Sequence, residues 1–305
     1  MSASAQPGMD LLAHILTLRP LPLPDPTILL PEWWGRAAHS LLLRVVAQSN
    51  AALAEALHES PEGGAVEPPG AGESSLTIRP FTVSTLMGRF AHGTLDPAES
   101  YRLRFTSLQP ELSTILSQAT VPGGPLAPGA TVELDRLLFQ VEGPPAAEAQ
   151  PSNVDHWLGS TTYPELGARW LLAKEAPPRR LSFQFTSPVT FKSGGKHMPI
   201  PLPGLVFGSL LERWNAFAPI TFPPETKRYA EECLAISHYK LSSRPVPVKR
   251  GGLRVGGIGE ITYATVNYDR YWMSVLGTLA AFALYSGVGA GTTMGLGQGR
   301  GVVEE

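Results

Sequence analysis

The spacing of apolar residues changes period repeatedly along this chain, and each change marks an element. Leu11 to Leu18 is an apolar run stopped by Arg19-Pro20, which predicts a strand. Trp34, Ala38, Leu41, Leu42 and Val45 then recur at helical spacing. Ser49-Asn50 breaks that helix and caps a second, Ala-rich one, Ala51 to His58, which stops at Pro61 and Gly63-Gly64. A polar loop runs to Ser74. An extended stretch, Leu76 to Met87, then leads to the alternating strand Tyr101, Leu103, Phe105. Leu112, Ile115, Leu116 and Ala119 form a helical stripe, and Val132 to Val141 reads as one closing strand.

The second half repeats that order. Leu181, Phe183 and Phe185 alternate as a strand that continues toward Phe191, and Phe207, Leu210, Leu211, Trp214 and Ala218 mark a helix. Leu234 to Leu241 and Leu253 to Val266 read as two strands joined by the basic, Pro-containing segment Ser243 to Gly252. Trp272, Val275, Leu276, Leu279 and Ala283 give a strongly apolar helix, expected to be buried, and Leu296 to Val303 is a short last strand. Two β-α-β-β-α-β units predict an α+β chain of two tandem ferredoxin-like (RRM-like) domains. The expected boundaries are residues 1–145, a connecting segment 146–178 with a helix over Tyr163 to Lys174, and residues 179–305.

Length agrees with two domains, since 305 residues exceed what one hydrophobic core usually serves, about 250–300. Hydrophobic residues make up 43% against 16% charged, which excludes global disorder. The single cysteine, Cys233, excludes a disulfide scaffold and a CxxC zinc site; no metal site or other cofactor is expected. No export signal opens the chain and no apolar run is long enough to span a bilayer, so a cytoplasmic location without membrane contact is expected.

Charge changes the picture more. Residues 1–178 carry 10 Lys and Arg against 18 Asp and Glu, whereas residues 179–305 carry 14 against 8. The stretch Arg179 to Arg254 alone holds 12 basic and 4 acidic residues. Such a split fits either an anionic partner, nucleic acid above all, or a basic half docked on an acidic one. The densest local signal is Gly287 to Gly299, with glycine at 287, 289, 291, 295, 297 and 299. It is neither a Walker loop nor a dinucleotide fingerprint, because it follows a helix and lacks Gly-Lys-Ser/Thr. Either it is a turn, or its backbone amides cradle phosphate; the glycine density favours phosphate.

The segment Leu284 to Gly299 resembles the C-terminal glycine-rich loop of the CRISPR-associated repeat-processing endoribonucleases of the RAMP superfamily. Ala56-Leu57-His58-Glu59, Pro80 to Ser84, Tyr101 to Phe105, Phe191, Phe207 to Asn215 and Gly256 to Tyr263 match in order, so the resemblance spans nearly the whole chain. It implies metal-independent cleavage of precursor CRISPR RNA: a ribose 2′-OH attacks the adjacent phosphate, leaving 2′,3′-cyclic phosphate and 5′-OH ends. The implied partners are repeat RNA, precursor and mature, and other subunits of a CRISPR effector complex.

Such chemistry needs a base for the 2′-OH and an acid for the leaving oxygen, and imidazole suits both. Among seven histidines, the resemblance places the catalytic one at His58, at the end of the second helix, with His39 on the first helix as second choice. His14, His92, His156, His197 and His238 read as surface or core residues. Lys240, Arg244, Lys249, Arg250 and Arg254 flank a hairpin that the family uses to grip RNA. Gly287, Gly289, Gly291, Thr292, Gly295, Gly297, Gly299 and Arg300 are the remaining expected RNA contacts. The chain departs from the fuller family pattern in carrying Leu41 to Leu43 where some members place a tyrosine. It also has no Lys or Arg between His58 and Glu73. An arginine from elsewhere, or the glycine-loop amides, must then neutralise the transition state. The competing readings are a non-catalytic RNA-binding subunit with the same fold, and a structural protein whose glycine loop is only a turn.

Overall fold

In the computed structural model, residues 9–22, 29–59, 78–90, 94–143, 155–247 and 252–302 are described. The polar loop before Ser74, together with His92, Lys249 and Arg250, lies outside them. The first half runs β1 (Leu11–Pro20), α1 (Gly35–Ser49), α2 (Ala51–Glu59), β2 (Phe81–Val83), β3 (Tyr101–Ser107), α3 (Pro110–Ala119), β4 (Thr131–Leu134) and β5 (Leu137–Glu142). Its antiparallel sheet has the order β2-β3-β1-β5-β4. Leu12, Leu16 and Leu18 project from β1 to one face and pack with Leu41, Leu42 and Val45 of α1 and with Leu112, Ile115 and Leu116 of α3. The period-two and helical stripes of the sequence are the two sides of this one core.

The second half runs β7 (Arg180–Val189), β8 (Phe191–Ser193), β9 (Lys196–Met198), α5 (Pro203–Phe217), α6 (Glu225–Cys233), β10 (Leu234–Pro247), β11 (Leu253–Thr265), α7 (Arg270–Ser286) and β12 (Gly299–Val302). The sheet order is β10-β11-β7-β12, all antiparallel. Phe183 and Phe185 of β7 meet Phe207, Trp214, Tyr263, Leu276, Leu279 and Phe282 in the core.

Between the halves, β6 (Gly159–Thr161) pairs with β1, and α4 (Tyr163–Leu171) packs on α7. Thr162 caps α4 in a reciprocal capping box with Glu165. The segment expected merely to connect is thus built into both halves. Leu11, Ala13 and Leu108 of the first half share a core with α7, which accounts for the apolar circumference of that helix.

One expectation is corrected, and two elements go beyond the sequence reading. Val132 to Val141 is a hairpin, not one strand: Asp135 and Arg136 adopt φ of 49° and 70°, a tight turn made without the glycine that signals one. The strand expected to continue toward Phe191 ends at Val189, and beyond it β8 and β9 form a separate hairpin that the sequence did not mark. Helix α6, with mostly polar residues, left no apolar stripe to read. Among the described residues no helix is long and apolar enough to cross a membrane.

Candidate active site and nucleic-acid interface

The two halves meet through a polar seam. Arg104, on the face of β3 away from the first core, is buried to 1% exposure. It donates from Nε to the Trp157 carbonyl (2.9 Å), from Nη1 to Gln298 Oε1 (2.7 Å) and from Nη2 to the Leu284 carbonyl. Burial pushes its guanidinium down to about 9. Gln298 continues the seam by donating from Nε2 to the Val83 carbonyl at 3.1 Å. Arg300 donates to Gln184 and lies, like Arg104, within 6 Å of the Trp157 ring. Arg300 therefore serves the seam.

The glycine-rich loop is wedged into this junction. The amides of Gly287, Gly289 and Gly297 donate to the Ala283 carbonyl, Ser209 Oγ and the Pro188 carbonyl. Those of Val288, Ala290 and Gln298 donate to Gly297, Thr190 and Ser187. Arg213, pushed down to about 10 by burial, holds the loop from below through the Gly289 carbonyl (2.6 Å). A Cβ at Gly297, where φ is +65°, would stand 2.1 Å from the Val288 carbonyl oxygen. The expectation of an amide cradle is corrected for Gly287, Gly289 and Gly297, whose N–H groups are spent within the protein. Gly295 and Gly299 are also buried, and Thr292 lies 3.4 Å from Arg213. Close backbone packing explains the glycine density.

The far end of the loop, Thr292–Met294, rests on the first turn of α1. Gly35 makes that approach possible: a Cβ there would fall 1.8 Å from the Met294 carbonyl oxygen. One turn further, His39 is 7% exposed and stands against the Phe81 ring. Its Nδ1 is 2.9 Å from the Thr293 carbonyl, and its Nε2 is 3.5 Å from Arg79 Nη1. A carbonyl only accepts and a guanidinium only donates. The proton therefore sits on Nδ1, and the Nε2 lone pair faces the cation. Arg79 Nη2 also donates to the His58 carbonyl, at the C-terminal end of α2, at 3.3 Å.

One arginine thus joins both histidines singled out in the sequence, but by different atoms: the ring of His39 and the backbone of His58. The His58 side chain is exposed. His14 lies in β1 opposite Phe105, and burial lowers its imidazole. His156, His197 and His238 are exposed. Arg79 carried no signal in the sequence because the long polar loop separates it from both histidines.

The β10–β11 arm carries the basic residues expected there. Lys240 pairs with Glu260, Arg244 with Gly256, and Arg254 with Val246, so Lys240, Arg244 and Arg254 share one face. Most of β10 is exposed along this edge strand. Arg254 reaches back to the glycine-rich loop, where Nη1 would lie 3.1 Å from a Cβ on Gly291.

Both the sequence and the fold have known counterparts. The profile of the CRISPR-associated endoribonuclease Cas6 family matches residues 183–299. The CRISPR-associated endoribonuclease Cas6 of Mycobacterium tuberculosis is 30% identical over 122 residues, 39% of this chain and 38% of that protein, so the match spans well under half of either. A Thermus thermophilus Cas6 solved as its product complex superposes with a TM-score of 0.70 at 25% identity, covering 96% of this chain and 100% of the other. Residues 183–299 thus resemble the Cas6 family in sequence, and the chain as a whole has the fold of solved Cas6 proteins. A second Cas6 product complex has a TM-score of 0.67 at 25% identity over 96% of this chain and 99% of that one. A third Cas6 structure, of a histidine-to-alanine variant, gives 0.64 at 26% identity over 97% and 100%. The family profile lies on the half that carries arm and loop. The structural matches extend over the half that carries His39.

Proposed function

We propose that this chain is an endoribonuclease that binds CRISPR repeat RNA and cuts the precursor within each repeat. The observation that carries the reading is the His39 ring, oriented by the Thr293 carbonyl and facing Arg79 where α1 meets the glycine-rich loop. A phosphate held by Arg79 brings the neighbouring ribose 2′-OH toward Nε2. Nε2 takes the 2′-OH proton as the O2′–P bond forms. The P–O5′ bond then breaks, and the 5′-oxygen takes a proton from the imidazolium or from water. The products are 2′,3′-cyclic phosphate and 5′-OH ends, and no metal ion enters the step. Arg79 supplies the cation that offsets charge growing on phosphorus. Support for a functional histidine also comes from the related Cas6 that was made as a histidine-to-alanine variant.

This reading moves the acid–base role from His58 to His39, because His58 offers Arg79 a carbonyl while His39 offers a ring nitrogen. We read residues 1–145 and 179–305 as two ferredoxin-like units, with 146–178 joining them. The sheet orders β2-β3-β1-β5 and β10-β11-β7-β12 support that reading, since each places the unit's first strand beside its third and last. The test is incubation of the chain with the repeat RNA of its own host, in EDTA, with the ends of the fragments identified. Cyclic-phosphate and 5′-OH ends are expected. Tight binding without cleavage would replace the enzyme by an RNA-binding subunit of an effector complex.

A further inference from the structure

The short hairpin β8–β9 belongs neither to the glycine-rich loop nor to the long arm, and no motif in the sequence marks it. Its strands are held as Phe191↔Met198, Lys192↔His197 and Ser193↔Lys196. Gly194 and Gly195 close it with φ of 55° and 71°, the turn that a two-residue hairpin requires. Lys192 and His197 stand opposite each other and share a face, Lys196 is next to the tip, and every residue from 192 to 197 is exposed. The hairpin is anchored where β9 runs beside β11. There a Cβ on Gly257 would meet the Pro199 carbonyl at 2.6 Å. Arg254 lies on the same strand as Gly257, three residues before it.

Burial, and after it the cationic Arg254 and Lys192, lower the His197 imidazole. Three basic side chains thus crowd one spot. Like charges repel in the free protein, and an anion removes that cost when it binds. Arg254 also ends the basic face of the arm, after Lys240 and Arg244, so the spot prolongs an existing track.

We propose that Lys192 and His197, with Lys196 at the hairpin tip and Arg254 at the end of the arm's basic face, form a clamp for the sugar–phosphate backbone of RNA that extends the arm and is separate from the His39 site. The clamp rests on the reading that the chain binds repeat RNA. Its ligand is the phosphodiester, recognised by charge and not by base. A-form RNA is met largely in this way, through backbone and shape.

The experiment compares the full chain with the Lys192→Ala/Lys196→Ala/His197→Ala variant, measuring Kd against salt for the host's repeat RNA and for an unrelated structured RNA of equal length. All three side chains are exposed, and equal thermal midpoints verify the fold. With two phosphates no longer neutralised, the log–log salt slope should fall by roughly 1.4–1.8 on both RNAs, and affinity at moderate salt by roughly tenfold. An unchanged slope on both RNAs overturns the clamp and assigns the hairpin to water or a protein partner. If the unaltered chain binds both RNAs equally while the variant's slope still falls, the clamp stands and the repeat-specific reading falls. If the unaltered chain prefers the repeat and the variant's slope is unchanged, the clamp falls and that reading stands.

Discussion

The glycine-rich loop and the β10–β11 arm are the two regions whose sequences point most strongly to nucleic acid, and they are built in opposite ways. Most of the loop is buried, the amides of Gly287, Val288, Gly289, Ala290, Gly297 and Gln298 are paired within the protein, and its glycines let backbone lie against backbone. The arm is exposed on its edge strand and arranges cations by strand register. Glycine density therefore reports packing at the seam between the halves, while Lys240 and Arg244 stand on an exposed face open to a ligand. The geometry on which the proposed chemistry rests comes from the contact between the loop and the first half: the Thr293 carbonyl orients a histidine of α1.

The sharpest way to break this contrast is at the seam. Arg104→Met leaves the Trp157 and Leu284 carbonyls and Gln298 without their buried donor, and should cost about 1–3 kcal/mol for each acceptor left unsatisfied. Chemical denaturation measures it; a loss below about 1 kcal/mol would mean that the seam relaxes around the substitution. Next in size is Gly297→Val, which adds a β-branched side chain where φ is +65° and the Val288 carbonyl occupies the space. Strain of about 1–3 kcal/mol is expected, together with the cost of the clash. Thermal unfolding should show the loss, with RNA affinity falling only as the folded fraction falls.

The arm should behave in reverse. Lys240→Ala/Arg244→Ala should leave stability within about 0.5 kcal/mol, while the salt slope of RNA binding falls by roughly 0.7–0.9 for each phosphate no longer neutralised. A stability loss as large as that of Gly297→Val would erase the contrast. The smallest expected effect is a pH dependence from His14, whose folded-state pKa is depressed by burial. The unfolded chain then binds the proton more readily, so stability falls as pH drops below the ordinary imidazole value, near 6.5, and through the lower folded one. His14→Gln should flatten that acid-side slope in denaturation midpoints measured across the window; an unaltered slope would assign it to other groups.

Much of this fold was legible because period follows burial. Leu12, Leu16 and Leu18, or Leu181, Phe183 and Phe185, announce strands since one face of each meets a core. What escaped notice lacked that signal. Asp135-Arg136 makes a left-handed turn without glycine, and α6 is too polar to show a stripe. The site was legible only by residue type. Both His39 and His58 stood out in the sequence, yet their ranking depended on a neighbour-in-sequence argument. Arg79 became visible only when the fold brought it from beyond a long loop to the His39 ring. Pairings made across such separations leave no local pattern to read.

The central claim is that the His39 ring, and not that of His58, moves the proton. Single-turnover cleavage of the repeat RNA by His39→Asn and His58→Asn tests it directly. The asparagine amide at 39 can still donate to the Thr293 carbonyl but cannot take a proton, so the hold on the loop is kept while the chemistry goes. Cleavage by His39→Asn should slow by about 10²–10⁴ with RNA affinity nearly kept, while His58→Asn stays close to the unaltered rate. A His39→Asn protein that cuts at full rate, or a His58→Asn protein slowed by that factor, would contradict it.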